Sequence, residues 1–181
     1  NTAVGKDALI ANTTGNSNVA IGIDALQANT TGAENVAIGQ SALNDNQTGN
    51  GCVGVGHFAL HSHTTGGAAT AVGYKAAYDL TTGTETTALG NHALQNCTTA
   101  HYNTAVGHAA GNDCTTGQKN VFVGLHAGEN VTTGSYNVIM GNWAADGVTT
   151  GSGNVTITDG DLIVASGHGI SFAATGDGSG S

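Results

Sequence analysis

Proline and arginine are absent from this chain, lysine occurs only at Lys6, Lys75 and Lys119, aromatic residues make up 4% of it and charged residues 8%. Each shortage removes a class of protein. Binding to phosphate backbones needs clustered Lys and Arg to displace counterions; with three lysines and a formal charge of -9, nucleic acid is strongly disfavoured as a partner. A conventional core built on large rings is not available. No apolar run approaches the roughly 18 residues that would cross a bilayer, and no signal-peptide pattern opens the chain at Asn1, which lies inside a repeat. Thirty glycines beside so little charge also depart from the composition of a globular enzyme.

What is present is Ala, Val, Thr and Gly in a strict period. Residues 1–153 read as nine contiguous copies of 17 residues, on the template N-[TV]-A-[VI]-G-x-x-A-[LAG]-x-x-x-T-T-G-x-x. The fifth position is Gly in every copy (Gly5, Gly22, Gly39, Gly56, Gly73, Gly90, Gly107, Gly124, Gly141), which predicts a sharp bend at a strand end. The eighth is always Ala (Ala8, Ala25, Ala42, Ala59, Ala76, Ala93, Ala110, Ala127, Ala144), which predicts an inward point filled by one methyl group. Thr-Thr-Gly near the end of each copy reads as a second turn, with a hydroxyl bonding the local backbone. Apolar residues alternate as at Val19 and Ile21, the strand pattern, and a helical repeat would need 3.6-residue spacing and a longer period. The fold class is therefore all-β: a parallel β-solenoid or β-roll of nine coils, each stacked on the last at about 4.8 Å.

The twelfth position runs Asn12, Asn29, Asn46, His63, Leu80, Cys97, Cys114, Val131, Val148. A column that turns from polar to apolar along a stack is expected to be buried throughout, with Asn12, Asn29 and Asn46 forming an amide ladder. Cys97 and Cys114 sit one period apart, near enough for a disulfide, although stacked free thiols are the simpler reading; Cys52 is in the first column without a partner. Positions 6, 7, 10, 11, 16 and 17 vary among Lys, Asp, His, Gln, Tyr and Glu and are read as the solvent face.

The elements Asn-Val-Ala-Ile-Gly-x-x-Ala at Asn18–Ala25 and Asn35–Ala42 resemble the head repeats of trimeric autotransporter adhesins. The longer form, with Asn-Thr-Ala-Val-Gly at Asn1 and Asn103 and Thr-Thr-Gly in nearly every copy, is similar to repeats of bacteriophage tail fibres. After Gly153 the repeat is lost, and residues 154–176 resemble the strand and turn segments of tail fibres, with strands at Val155/Ile157 and Ile170/Phe172, a turn at Asp159-Gly160, and a Gly/Ser tail at 177–181. The resemblance implies an intertwined homotrimer, an extracellular location on a virion tail fibre or cell-surface appendage, and the role of a structural shaft in host attachment. On that reading the small third-position residues Ala3, Ala20 and Ala37 let the chains approach closely.

A bacterial surface adhesin or a self-assembling fibril that binds glycans is the alternative. Its candidate contacts are Trp143 and Tyr136, with Tyr74, Tyr78 and Tyr102 as further rings. No nucleophile elbow, carboxylate pair or phosphate loop is visible, so neither an enzyme nor a cofactor is expected. His57, His61 and His63 are too dispersed among columns to favour a metal site, and Asp159-Gly160-Asp161 lacks the remaining ligands of a calcium loop. Asn12, Asn29, Asn46, Asn96, Asn130 and Asn154 each begin an Asn-x-Ser/Thr sequence that would permit glycosylation.

Overall fold

A computed structural model describes residues 1–157. They form ten three-residue strands and no helix: β1 (Thr2–Val4), β2 (Val19–Ile21), β3 (Val36–Ile38), β4 (Val53–Val55), β5 (Thr70–Val72), β6 (Thr87–Leu89), β7 (Thr104–Val106), β8 (Val121–Val123), β9 (Val138–Met140) and β10 (Val155–Ile157). The strands lie in one sheet in sequence order. Each pairs in parallel with the next at an offset of 17 residues, Ala3 over Ala20 and Ala20 over Ala37. The chain is thus a β-solenoid of about nine turns in which like columns stack, rising roughly 43 Å at about 4.8 Å per coil. β10 pairs in register with β9, so the winding continues four residues past the repeat boundary expected at 153. The rest of the expected connector, including Asp159-Gly160 and Ile170/Phe172, and the 177–181 tail lie outside the described residues.

The fifth-position glycines are required twice over. Their φ values lie between 121° and 145°, which L side chains rarely adopt. A Cβ at Gly73 would also come within 2.5 Å of the Gly90 carbonyl oxygen one coil on. Left-handed backbone is not confined to glycine, however. The seventh, ninth and seventeenth columns hold it with ordinary residues, among them Lys75 (φ 53°), Leu43 (φ 51°) and Tyr136 (φ 60°). Such residues are held against their intrinsic preference by bonds to neighbouring coils. The Lys75 N–H donates to the His57 carbonyl at 3.0 Å in the preceding coil, and that of Leu43 to the Ala59 carbonyl at 3.0 Å in the following one. The first threonine of each pair also bonds across coils rather than locally: Thr13 Oγ1 donates to the Thr30 carbonyl at 2.9 Å.

The core is one residue-layer thick and is filled from facing columns. The eighth-position alanines from Ala25 to Ala144 are fully buried, and only Ala8, in the open first coil, is half-buried. Opposite them lie the third and ninth columns, whose sizes are complementary. Where the third residue is Ala or Gly the ninth is usually Leu, as in Ala20 with Leu26 and Gly54 with Leu60, all buried. Where the third becomes Phe122, the ninth becomes Gly111 on one side and Gly128 on the other. A Cβ on either glycine would lie 2.5 or 2.4 Å from the ring.

This arrangement corrects one expectation. Ala20 and Ala37 point into their own coil and are fully buried, so they offer no surface for another chain, and of the three alanines only Ala3, in the open first coil, is exposed; the second and fourth columns point outward instead. The small residue faces inward because a thin coil with leucine opposite leaves room for one methyl group.

Phe122→Ala should lower stability by about 3–5 kcal/mol through the cavity it leaves. Adding Gly111→Leu rebuilds the Ala/Leu pairing of the earlier coils and should recover more than half of that loss in denaturant unfolding. A double variant no more stable than Phe122→Ala would contradict the facing-column account.

Candidate functional site

Two interior amide ladders stiffen the stack. In the twelfth column Asn29 Nδ2 donates to Asn12 Oδ1 at 2.9 Å and Asn46 Nδ2 to Asn29 Oδ1 at 3.2 Å. The same amide groups donate to the glycine carbonyl three residues on, at 3.1 Å for Asn29 and 3.2 Å for Asn46. Both asparagines are fully buried, which leaves no room for a glycan on their Asn-x-Thr sequences, whereas Asn12, Asn96, Asn130 and Asn154 are half-buried. The second ladder was missed as a ladder in the sequence, although it is the first residue of the template. Asn18 Oδ1 accepts the Asn35 backbone N–H at 2.9 Å while Asn18 Nδ2 donates to the Gly32 carbonyl at 2.8 Å. Cys52, Ala69 and Thr86 interrupt it, and it resumes from Asn103 to Asn154.

Where the twelfth-column amides end, His63 is fully buried and neither ring nitrogen has a hydrogen-bond partner. Burial lowers its pKa below the ordinary 6.5. Further along, Cys97 and Cys114 are buried free thiols, as is Cys52 in the first column. Burial pushes the Cys114 thiol up to about 11 and raises those of Cys97 and Cys52, so none is poised as a thiolate nucleophile.

The outer columns divide into three faces. The fourth column is apolar from end to end and exposed in every coil except at Val55 and Val123, which are half-buried, and the Val/Thr residues of the second column beside it are half-buried in every coil but the two ends. Around the glycine corner, the sixth and seventh columns carry rings from coil four onward. His126 stacks on Trp143 with centroids 4.0 Å apart, while in the tenth column Tyr78 stacks on His61 at 5.0 Å. Tyr136 stands elsewhere, in the seventeenth column, with its hydroxyl 3.2 Å from Lys119 Nζ. The two residues singled out as glycan contacts are therefore not brought together, whereas Trp143 joins Tyr74 in one row. Of the three histidines considered for a metal, His63 is in the core while His57 and His61 are outside it. Among the described residues no group of three His, Cys, Asp or Glu side chains could hold a metal ion, and no pocket is present. No family model, curated protein or solved structure matches this chain.

Because His63 stays neutral when folded and takes a proton near its ordinary 6.5 when unfolded, acid favours the unfolded chain. The thermal midpoint should fall as pH drops below about 6.5, and His63→Asn, which extends the Asn12–Asn46 ladder, should flatten that slope. A pH-independent difference between the two proteins would show that His63 carries no such linkage.

Proposed function

We propose that the chain is the structural shaft of an extracellular homotrimeric fibre, most consistent with a bacteriophage tail fibre engaged in host attachment, and that it performs no catalysis. The observation that carries this reading is the fourth-column stripe. A ten-strand sheet presents Ile21, Ile38, Val72, Leu89, Val106 and Met140 in one exposed row on a chain with 8% charged residues. A continuous apolar stripe of this length is a feature that soluble monomers avoid and interfaces use.

The occupant that fits it is another copy of the same chain. The stripe repeats once per coil, about every 4.8 Å, over the whole array, and a second array of identical coils has the same axial period. Residues of β1 to β10 could then meet their counterparts at every level, with no lateral slip changing the character of the contact. The interior supports a mechanical role as well. Amide ladders, stacked alanines and coil-to-coil backbone bonds run along the long axis, so tension or bending is resisted by the same bonds that define the fold. Among the described residues the thiols are buried in their protonated form and His63 is sealed in the core, which supports a mechanical rather than a chemical role.

Sedimentation equilibrium of the chain should give three times the 17.7 kDa chain mass. Ile38→Glu together with Leu89→Glu should shift it toward one, while Thr31→Glu on the opposite corner should not. A monomeric parent protein at micromolar concentration would contradict the trimeric shaft.

A further inference from the structure

The geometry points to a second, lateral function: the ring-bearing edge of coils four to nine is a binding track for an uncharged polysaccharide laid along the rod. Six side chains form it, one per coil: His57, Tyr74, His92, His108, His126 and Trp143. Their centroids follow one another at 5.6, 5.2, 6.0, 5.1 and 4.0 Å, an unbroken row of rings. At one coil per step the track is about 24 Å long. Four of the six are exposed, and His92 and His126 are half-buried.

The row does not belong to the assembly surface. The fourth-column stripe is apolar in every coil, as a contact between identical arrays requires. The track is absent from the first three coils, where the same two columns hold Lys6, Asp7, Ile23, Asp24, Gln40 and Ser41. A feature restricted to part of a repeat array serves something other than the repeat's own stacking.

Three properties select the ligand class. The contacts lie in a line with no enclosing walls, so an occupant gains by touching several coils at once, which favours an extended polymer. Neighbouring rings are turned steeply to one another from Tyr74 to His126, with interplanar angles of 76° to 83°, so the row alternates ring faces with polar ring edges. The C–H faces of sugars pack on the former and hydroxyls bond the latter. Beside the row, Gln95 bonds His92 and Glu129 Oε2 lies 2.7 Å from His126 Nδ1, which sets a carboxamide and a carboxylate within reach of ligand hydroxyls. Charge narrows the class further. The row carries charge of both signs, with Lys75 Nζ 5.6 Å from the Tyr74 ring and Glu129 against His126, on a chain of net charge -9. Neither a polyanion nor a polycation therefore meets a patch of uniform opposite charge, and a neutral polymer fits it best. The track thus stands whether the shaft is trimeric or single-chained.

Affinity electrophoresis of the full chain through gels containing dextran, galactomannan or hydroxyethyl cellulose, with alginate as the polyanion, tests the track. Retardation is expected in at least one neutral gel. Tyr74→Ala, His108→Ala and Trp143→Ala should each weaken it about two- to tenfold, with Tyr136→Ala unchanged. No retardation in any neutral gel, retardation in alginate alone, or a triple variant retained like the parent would overturn the proposal. So would a change in the sedimentation mass of the triple variant, which would make the row a contact between copies instead. Failure of the trimeric shaft shows in the parent protein's mass and leaves the gel result untouched.

Discussion

Every feature of this molecule depends on backbone pairing between one coil and the next along the rod axis. The three-residue strands supply only part of it. N–H groups outside the strands also bond across coils, some forward, as from Leu26 to the Ala42 carbonyl at 3.1 Å, and some backward, as from Trp143 to the Leu125 carbonyl at 2.8 Å. Because the pairing is in register, each residue meets its own counterpart above and below. The choice of side chain at each column is thereby turned into a choice about a whole ladder. Asparagine is tolerated inside because its amide finds another amide or a glycine carbonyl at the next level, and an unpaired imidazole such as His63 is costly because that continuity ends there.

The same pairing explains how so many non-glycine residues hold left-handed backbone. In an isolated turn each would cost on the order of 1 kcal/mol or more. Here the seventh and ninth columns are pinned by bonds to the coils below and above, and the ninth-column leucines fill the core from that conformation. Strain and packing come from one geometry, which is why the leucine can be exchanged for glycine only where Phe122 arrives from the facing column to occupy the space. The outward faces inherit the ladder too: a row of apolar residues on the sheet, a row of rings around the corner.

Much of this was legible in the sequence, and what was not has identifiable causes. The period, the all-β solenoid, the corner glycines and the crowded eighth column follow from invariance alone, because only a stacked coil forces Gly5 to Gly141 and Ala8 to Ala144 to agree. The facing of the strands was not legible. Alternation at Val19, Ala20 and Ile21 gives two faces but not which is inside, and shifting that choice by one residue reverses every side chain. The small alanine looked like a surface for close approach and proved to be the interior. Left-handed Asp7 or Lys75 carries no sequence mark, since the usual signal is glycine itself. The row of rings stayed hidden because it alternates between the sixth column at Tyr74 and the seventh at His92, so that neither column alone appears aromatic.

The most direct test of in-register winding is the length of chain that can be removed. Deleting residues 69–85 takes out one whole coil and joins Ala68 to Thr86 with every column preserved, whereas deleting 69–84 shifts all later coils by one position. Thermal unfolding followed by circular dichroism should show a single cooperative transition close to that of the parent for the 17-residue deletion and loss of ordered structure beyond the junction for the 16-residue one. Equal stability of the two deletions would contradict a fold built on stacked, like-over-like coils.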